Sequence, residues 1–393
     1  MRITGVIAEY NPFHLGHAYH LCRVRENGAE AVIAVMSGNY TERGECALFD
    51  KFTRARAAIA GGADVVLELP AVWAVSCAQR YAVAGVSLLD AAGCVDTVSF
   101  GSECGDLFRL KLCADTVASD EYSVRLKSLL TNGVSYPKAA ALALGEITGL
   151  EPNPLESPND TLAVEYINAA KAIAPYLDFF PVKRLGAAHD APDGGESCKS
   201  ASYIRSVIES GQDASALLPQ GASEVFSSAV SRGEYIERSA YSLAVMSSLK
   251  RLSPADFAAL PEVSEGLENR LTDAVRRAAT LDEACALAKT KRYTMARIRR
   301  IFTCAFLSIT EEMQRKAPGY IRVLAFSAKG SEVLSELSRF SRLPVILRYS
   351  DCVGLDSFSR TVYNTECIAT DLYSMCLKHP LPSGRDMTAF AIK

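Results

Sequence analysis

The chain has 393 residues and a mass of 42.3 kDa, which exceeds one ordinary core and predicts two or three domains with room for a sizeable cleft. Lys and Arg number 42 against 45 Asp and Glu, so the formal charge of -3 excludes recognition of a polyanion by the field of the whole protein; a local basic patch is required instead. No window approaches the roughly 18 apolar residues of a membrane span and no leader-like segment opens the chain, so a cytoplasmic location without a membrane partner is expected. None of the 12 cysteines stands in a C-x-x-C pair, and they are read as buried thiols rather than disulfides or zinc ligands.

In chain order, apolar runs of strand length at Ile3–Ala8, Ala31–Met36, Val65–Leu69 and Val95–Phe100 are separated by stretches that each hold one helix. This is the rhythm of a parallel βαβ sheet covered on both faces. After the first run, "EYNPFHLGHAYHLCR" places three of the five histidines within residues 14–20. His14 and His17 bracket Leu15-Gly16 just beyond a Pro-containing turn, which predicts His17 in the first turn of the next helix. Unpaired amides and the positive dipole end attract phosphate there, Gly16 allows close approach, and two imidazoles add donors. The set suits charge stabilisation in a displacement at phosphorus; a surface or capping role is the plain alternative. The i, i+3, i+6 spacing of His14, His17 and His20, without H-E-x-x-H, gives no zinc signature, and no metal ligands are assigned.

Further along, Asp50 is a predicted N-cap, with helix formers through Ile59 and a stop at Gly61-Gly62. Residues 176–184 offer a fifth strand, residues 185–198 a polar, Gly-rich stretch that suits a flap, and "SASYIR" the start of another helix. Beyond residue 212 the spacing is helical with no strand between, and from Tyr320 strand-like and helical pieces mix again. "KTKRYTMARIRR" carries Lys289, Lys291, Arg292, Arg297, Arg299 and Arg300 without an acid, with Tyr293 among them. It is the local patch that a polyanion needs, its cations for phosphates and its tyrosine for stacking on a base.

The strings "EYNPFHLGH", "MSGNYTERGECALFDKFTRARAAIAGGADVVLELP", "FGSECGD", "SPNDTLAVEY", "SASYIR" and "GLENRL…KTKRYTMARIRRI" follow one another in the order of the tRNA(Met) cytidine acetate ligase family, which the chain resembles over residues 3 to about 345. That family lies in the H-x-G-H nucleotidyltransferase superfamily. The strand and helix pattern gives an α/β fold with a parallel-sheet domain at 1–212, a helical, basic domain at 213–318 and a small C-terminal α/β lobe at 319–393; the resemblance implies that the first is a Rossmann-like ATP-binding domain and the second a tRNA-binding one. The resemblance also implies conversion of acetate and ATP to acetyl-adenylate, with Mg2+ accompanying the nucleotide, then transfer of the acetyl group to the exocyclic amine of the wobble cytidine of elongator methionine tRNA.

By the same resemblance His14 and His17 are the α-phosphate stabilisers. ATP is expected to contact the stretch Ile7, Ala8, Glu9, Tyr10, Asn11, Pro12, Phe13, His14, Leu15, Gly16, His17, Ala18, Tyr19 and His20, together with Gly101, Asn159 and Arg184. Ser37, Gly38 and Asn39, at the end of the second strand, are expected at the acetate pocket; Lys51 and Arg54, one helical turn apart, are expected as cations for acetate, phosphate or tRNA, with a solvated helix face as the plain alternative; Ser200 and Ser202 are expected near the triphosphate. The chain departs from the family's commoner pattern at Leu15, at Thr161 and through "TERGECALF", positions that bear on selectivity. Two rivals stay open at this point: a small-molecule nucleotidyltransferase, and a tRNA-binding protein with a vestigial ATP site. The residues set no oligomeric state.

Overall fold

The computed structural model describes residues 1–184, 199–264 and 266–392; the expected flap at 185–198 lies outside the described residues. Strands β1 (Ile3–Ala8), β2 (Ala31–Ser37), β3 (Val65–Leu69), β4 (Thr97–Ser102) and β5 (Asp178–Lys183) form where the apolar runs predict them. With β6 (Ile321–Phe326) and β7 (Val345–Ile346) they make one seven-stranded sheet of order β5-β4-β1-β2-β3-β6-β7.

The first five strands pair in parallel, as their crossover helices require. β2 and β3 are buried along their whole length. Successive side chains of β2 enter different cores: Ile33 and Val35 join one apolar cluster, Val32, Ala34 and Met36 the other. This is why the run reads as unbroken hydrophobicity rather than as alternation.

Two features go beyond the expected parallel sheet. β6 runs antiparallel to β3, so the sheet is mixed. The segment from Tyr320 does not build a sheet of its own as a separate lobe would; β6 and β7 extend the N-terminal sheet past β3, where Val65 and Val66 face Phe326 and Ala325. An apolar edge at β3 is thereby covered, which a free lobe would leave open. The helical stretch holds no strand among its described residues, and its Leu271, Ile301 and Phe302 belong to the same apolar cluster as Ile3 and Leu67.

The chain reverses direction at β1. It winds outward through β2 and β3 and then returns to place β4 on the other side of β1, so the carboxyl ends of β1 and β4 frame a crevice at a topological switch point. Arg54, fully buried, holds one wall of that crevice together. Its guanidinium donates to the carbonyls of Phe49 (2.9 Å), Glu9 (2.6 Å), Ser37 (3.1 Å) and Gly38, tying the exits of β1 and β2 to the helix Lys51–Ala60.

Lys51 is equally buried. Its ammonium meets Glu68 at 2.6 Å, Glu366 at 3.1 Å and Asp386 at 3.0 Å, and Arg322 joins the group through Glu68 at 3.2 Å and Asp386 at 2.6 Å. The expected solvated or ligand-facing role of Lys51 and Arg54 is therefore replaced by an internal one. Burial acts to discharge Lys51, but Asp386, Glu366 and Glu68 outweigh it and hold its pKa above the ordinary lysine value. Two cations for three acids leave one negative charge in excess, and burial pushes Glu68 up to about 7.

Breaking such a cluster strands charge in a dry interior. Lys51→Met is expected to destabilise the protein by about 3–5 kcal/mol, read as a lowered urea midpoint at unchanged slope.

Candidate active site

The first helix, Leu15–Glu26, starts at the end of β1 beyond Tyr10, a non-glycine residue at φ +47°, and Asn11-Pro12. His14 is its N-cap. The His14 Nδ1 accepts the Gly16 amide at 3.0 Å, and the His17 Nδ1 accepts the His14 amide at 3.2 Å, so the two histidines cap the helix reciprocally. Their rings stack at 3.8 Å between centroids, 26° apart. A side-chain carbon on Gly16 would lie 2.9 Å from the His14 Cε1, which is why the spacing needs glycine.

With both Nδ1 atoms accepting, a neutral ring carries its hydrogen on Nε2 and presents it away from the backbone. Burial, and then the charge of Arg184, lowers His14 to about 4; burial, His14, Arg184 and His20 in turn hold His17 well below the usual histidine value. Both are uncharged donors at neutral pH. One detail differs from expectation: the Gly16 amide is taken by His14, so the imidazoles occupy part of the amide cradle and extend it through Nε2.

His20 is fixed otherwise. Its Nε2 lies 2.8 Å from the Ser99 Oγ, and that hydroxyl donates to the Phe180 carbonyl at 2.8 Å, pinning the helix to β4 and β5. Burial and Arg184 also lower His20 to about 4.

Around the crevice the structure brings Gly101, Asn159 and Arg184 together. Gly101 sits in β4, where an added side-chain carbon would meet the Arg184 Cγ at 3.6 Å. Arg184, just past β5, has its Nε 4.0 Å from the Glu103 carboxylate, which accepts from the Asn159 amide and from the Asp160 N–H at 3.0 Å. Asp160 returns the contact by accepting the Glu103 and Cys104 amides at 3.0 Å and the Ser102 hydroxyl. Glu103 joins Asn159 to Arg184 and was not singled out from the sequence; its place inside "FGSECGD" was the available signal.

Other expected residues have different occupations. Ser37 and Asn39 are fully buried: the Ser37 Oγ lies 3.2 Å from the Tyr81 hydroxyl, while Asn39 donates to the Thr370 Oγ1 at 3.1 Å and accepts the Lys51 amide at 2.8 Å. Gly38 has the Glu366 Oε1 2.8 Å from where a side-chain carbon would stand. An acetate pocket made from these three is not open. Ser200 caps the helix Ala201–Glu209 by accepting the Tyr203 amide at 3.2 Å. Ser202 accepts from Arg205 at 3.1 Å, and Arg205 reaches the Asn11 carbonyl at 2.8 Å, which ties that helix to the histidine turn.

The basic segment is the largest surprise. Arg297 donates to the Glu262 carbonyl at 3.0 Å, Arg299 pairs with Glu45, and Arg300 pairs with Glu262 at 2.7 Å and Glu42 at 3.2 Å. Tyr293 is buried, with the Arg297 guanidinium 5.1 Å from its ring centre. Tyr293 and Arg300 are buried and Arg297 and Arg299 half-buried, and the acids that Arg299 and Arg300 meet are distant in sequence. Lys289, Lys291 and Arg292 remain exposed.

A family model described as HIGH nucleotidyl transferase matches residues 1–386. The tRNA(Met) cytidine acetate ligase of Acetivibrio thermocellus is 34% identical over 99% of this chain and 99% of its own. That of Thermoanaerobacter sp. is 35% identical over 100% of both. The crystal structure of Thermotoga maritima TmcAL bound with alpha-thio ATP superposes with a TM-score of 0.91 at 32% identity, covering 100% of this chain and 99% of that one, and the apo form gives 0.92.

The depressed histidines tie folding to pH. In the unfolded chain His20 takes up a proton near 6.5, and in the folded protein only near 4; the unfolded state therefore binds more protons between these values, and stability falls as pH drops through that window. The slope is about 1.4 kcal/mol per pH unit for one such group. Urea denaturation of His20→Gln is expected to show a shallower loss between pH 6.5 and 4 than the parent chain.

Proposed function

The chain belongs to the tRNA(Met) cytidine acetate ligase family of HIGH nucleotidyl transferases, and from that premise we propose that it joins acetate to ATP and passes the acetyl group to a tRNA cytidine. A carboxylate oxygen of acetate attacks the α-phosphorus of ATP and pyrophosphate leaves. The exocyclic amine of the wobble cytidine of elongator methionine tRNA then attacks the acetyl carbon; AMP leaves and the nitrogen loses one proton. The enzyme is a ligase forming a carbon–nitrogen bond, and none of its own side chains is acylated.

The observation that carries this reading is the stacked, reciprocally capped His14–His17 pair at the switch point. Two neutral Nε2–H donors aimed off the start of a helix suit charge that builds on a phosphate as a fifth oxygen approaches, and a preformed pair needs little rearrangement to meet it. Arg184, whose charge bears on all three histidines, supplies the cation for the triphosphate, and Gly101 and Asn159 lie beside it as further nucleotide contacts. Of the stretch Ile7 to His20, Ile7, Tyr10 and Phe13 are buried in the apolar clusters and support the turn from behind, and the remainder is retained as the approach to the nucleotide.

Among the described residues no cluster of three or more His, Cys, Asp or Glu side chains is arranged to hold a metal. Magnesium, in this reading, enters with the triphosphate. Acetate is small and anionic and is placed near Arg184 and the histidines rather than at the filled Ser37–Asn39 corner. Lys289, Lys291 and Arg292 are retained as exposed tRNA contacts, and the helical segment 213–318 as the part that carries them. No helix among the described residues is long and apolar enough to cross a membrane, in keeping with a cytoplasmic enzyme.

Incubation with labelled acetate, ATP and total tRNA, followed by digestion to nucleosides, is expected to place the label on a cytidine; label appearing only in a small metabolite would overturn the reading. His17→Ala is expected to lower acetate-dependent ATP–pyrophosphate exchange by at least a hundredfold, about the effect of removing one oxyanion donor. His14→Ala should add a loss of about 1 kcal/mol in stability, because it also removes the cap.

A further inference from the structure

The basic helix Met295–Leu307 spends two of its three arginines, Arg299 and Arg300, on one small turn, and that turn has one side chain left over. Residues Tyr40–Cys46 close on themselves: the Thr41 amide reaches the Glu45 carbonyl at 2.9 Å, and the Gly44 amide reaches the Thr41 carbonyl at 2.9 Å. Gly44, at φ +73°, presses on the helix so closely that a side-chain carbon would stand 2.3 Å from the Arg300 nitrogen. The Thr303 hydroxyl holds the Gly44 carbonyl at 2.9 Å. On either side, Arg300 takes Glu42 and Arg299 takes Glu45. The Glu42 amide is accepted by the Glu9 carboxylate at 2.8 Å, which joins the turn to the stretch leading into His14.

Within Glu42-Arg43-Gly44-Glu45, then, both acids are paired and the glycine is wedged. Arg43 is exposed and makes no hydrogen bond or ion pair among the described residues. Its charge bears on Glu9 and Glu42, whereas the arginine that bears on the histidines is Arg184. Arg43 follows Glu42, whose amide is tied to Glu9 at the exit of β1 beside the crevice, and among the described residues no hydrogen bond joins Arg43 to His14 or His17.

We propose that Arg43 grips a backbone phosphate of the RNA substrate, and that Arg299 and Arg300 are positioning residues that hold the turn from which it reaches. A planar guanidinium matches a phosphate with two parallel hydrogen bonds. Mounting it on a pinned turn removes most of the ordering cost of binding. The site lies between the crevice, where the acetyl group is activated, and the helical segment with the exposed Lys289, Lys291 and Arg292. An RNA arm bound there has its cytidine within reach of the adenylate. The identity of the RNA rests on the function proposed above; the phosphate contact does not.

The test is direct binding of a fluorescently labelled tRNA transcript to the full chain, beside acetate-dependent ATP–pyrophosphate exchange, the half-reaction that needs no RNA. Arg43→Ala is expected to weaken tRNA binding about tenfold, to reduce the slope of log affinity against log salt by about one, and to leave both the exchange rate and the melting temperature in place. Arg43→Lys, which keeps the charge but not the two parallel hydrogen bonds, is expected to restore the salt slope and only part of the affinity. Arg299→Met, which frees Glu45 and loosens the turn, is expected to lower tRNA affinity with Arg43 still present. Unchanged affinity and salt slope in Arg43→Ala would overturn the proposal; so would loss of exchange with tRNA binding intact, which would assign Arg43 to the phosphates of ATP. Binding is read without turnover, so a parent chain that binds tRNA but produces no acetylated cytidine would sink the function and leave the phosphate contact standing.

Discussion

An imidazole has two nitrogens, and in the first turn of this protein the backbone claims one from each of two rings. Once the Nδ1 of His14 holds the Gly16 amide and the Nδ1 of His17 holds the His14 amide, the remaining hydrogen of each neutral ring is committed to Nε2. Direction, tautomer and charge state are settled by local geometry before any substrate arrives. The surroundings serve this constraint: Tyr10 and Phe13 wall in His17, Gly16 leaves room for the ring above it, and Arg184 discourages protonation. A charged imidazolium would attract a triphosphate more strongly, but it would attract any anion. In the reaction proposed above, a neutral pair would respond chiefly to oxygen atoms placed where charge accumulates and would favour the transition state over the bound substrate.

Holding those rings still requires that the strand exits do not splay. Arg54 does this for β1 and β2 by donating to carbonyls on both, and His20 does it for β4 and β5 through Ser99. Arg54 spends its Nε, Nη1 and Nη2 on backbone carbonyls and His20 its Nε2 on Ser99, and each sits close behind the crevice. The cost is a set of ionisable groups in dry surroundings, Lys51 and its three acids among them. These are tolerable because each cation is met by carboxylates at salt-bridge distance.

β1 to β4 were legible because a strand covered on both faces announces itself by composition alone. The histidine pair was legible because its partners are its own neighbours: cap, glycine and second ring fall within four consecutive residues. Lys51 and Arg54 were misread because two cations a helical turn apart look solvated, and the acids that bury Lys51 stand at positions 366 and 386. Arg297, Arg299 and Arg300 misled for the same reason: a cationic run with no acid in its own window takes its counterions from Glu42, Glu45 and Glu262. Local sequence reports local chemistry, and charge pairs across a fold are invisible to it.

The antiparallel addition of β6 to β3 has a consequence for how the chain is made. During synthesis β1 to β5 leave the ribosome while more than a hundred residues separate them from the strand that closes their sheet, and Lys51 emerges long before Asp386, its last counterion. The nascent nucleotide half carries an open apolar border and an uncompensated interior until β6 and Asp386 have been made. Completion of the catalytic half waits on both. A ribosome that stalls early releases a fragment with a sticky edge rather than a partial enzyme, so premature products are matter for chaperones and proteases, not a source of stray adenylate.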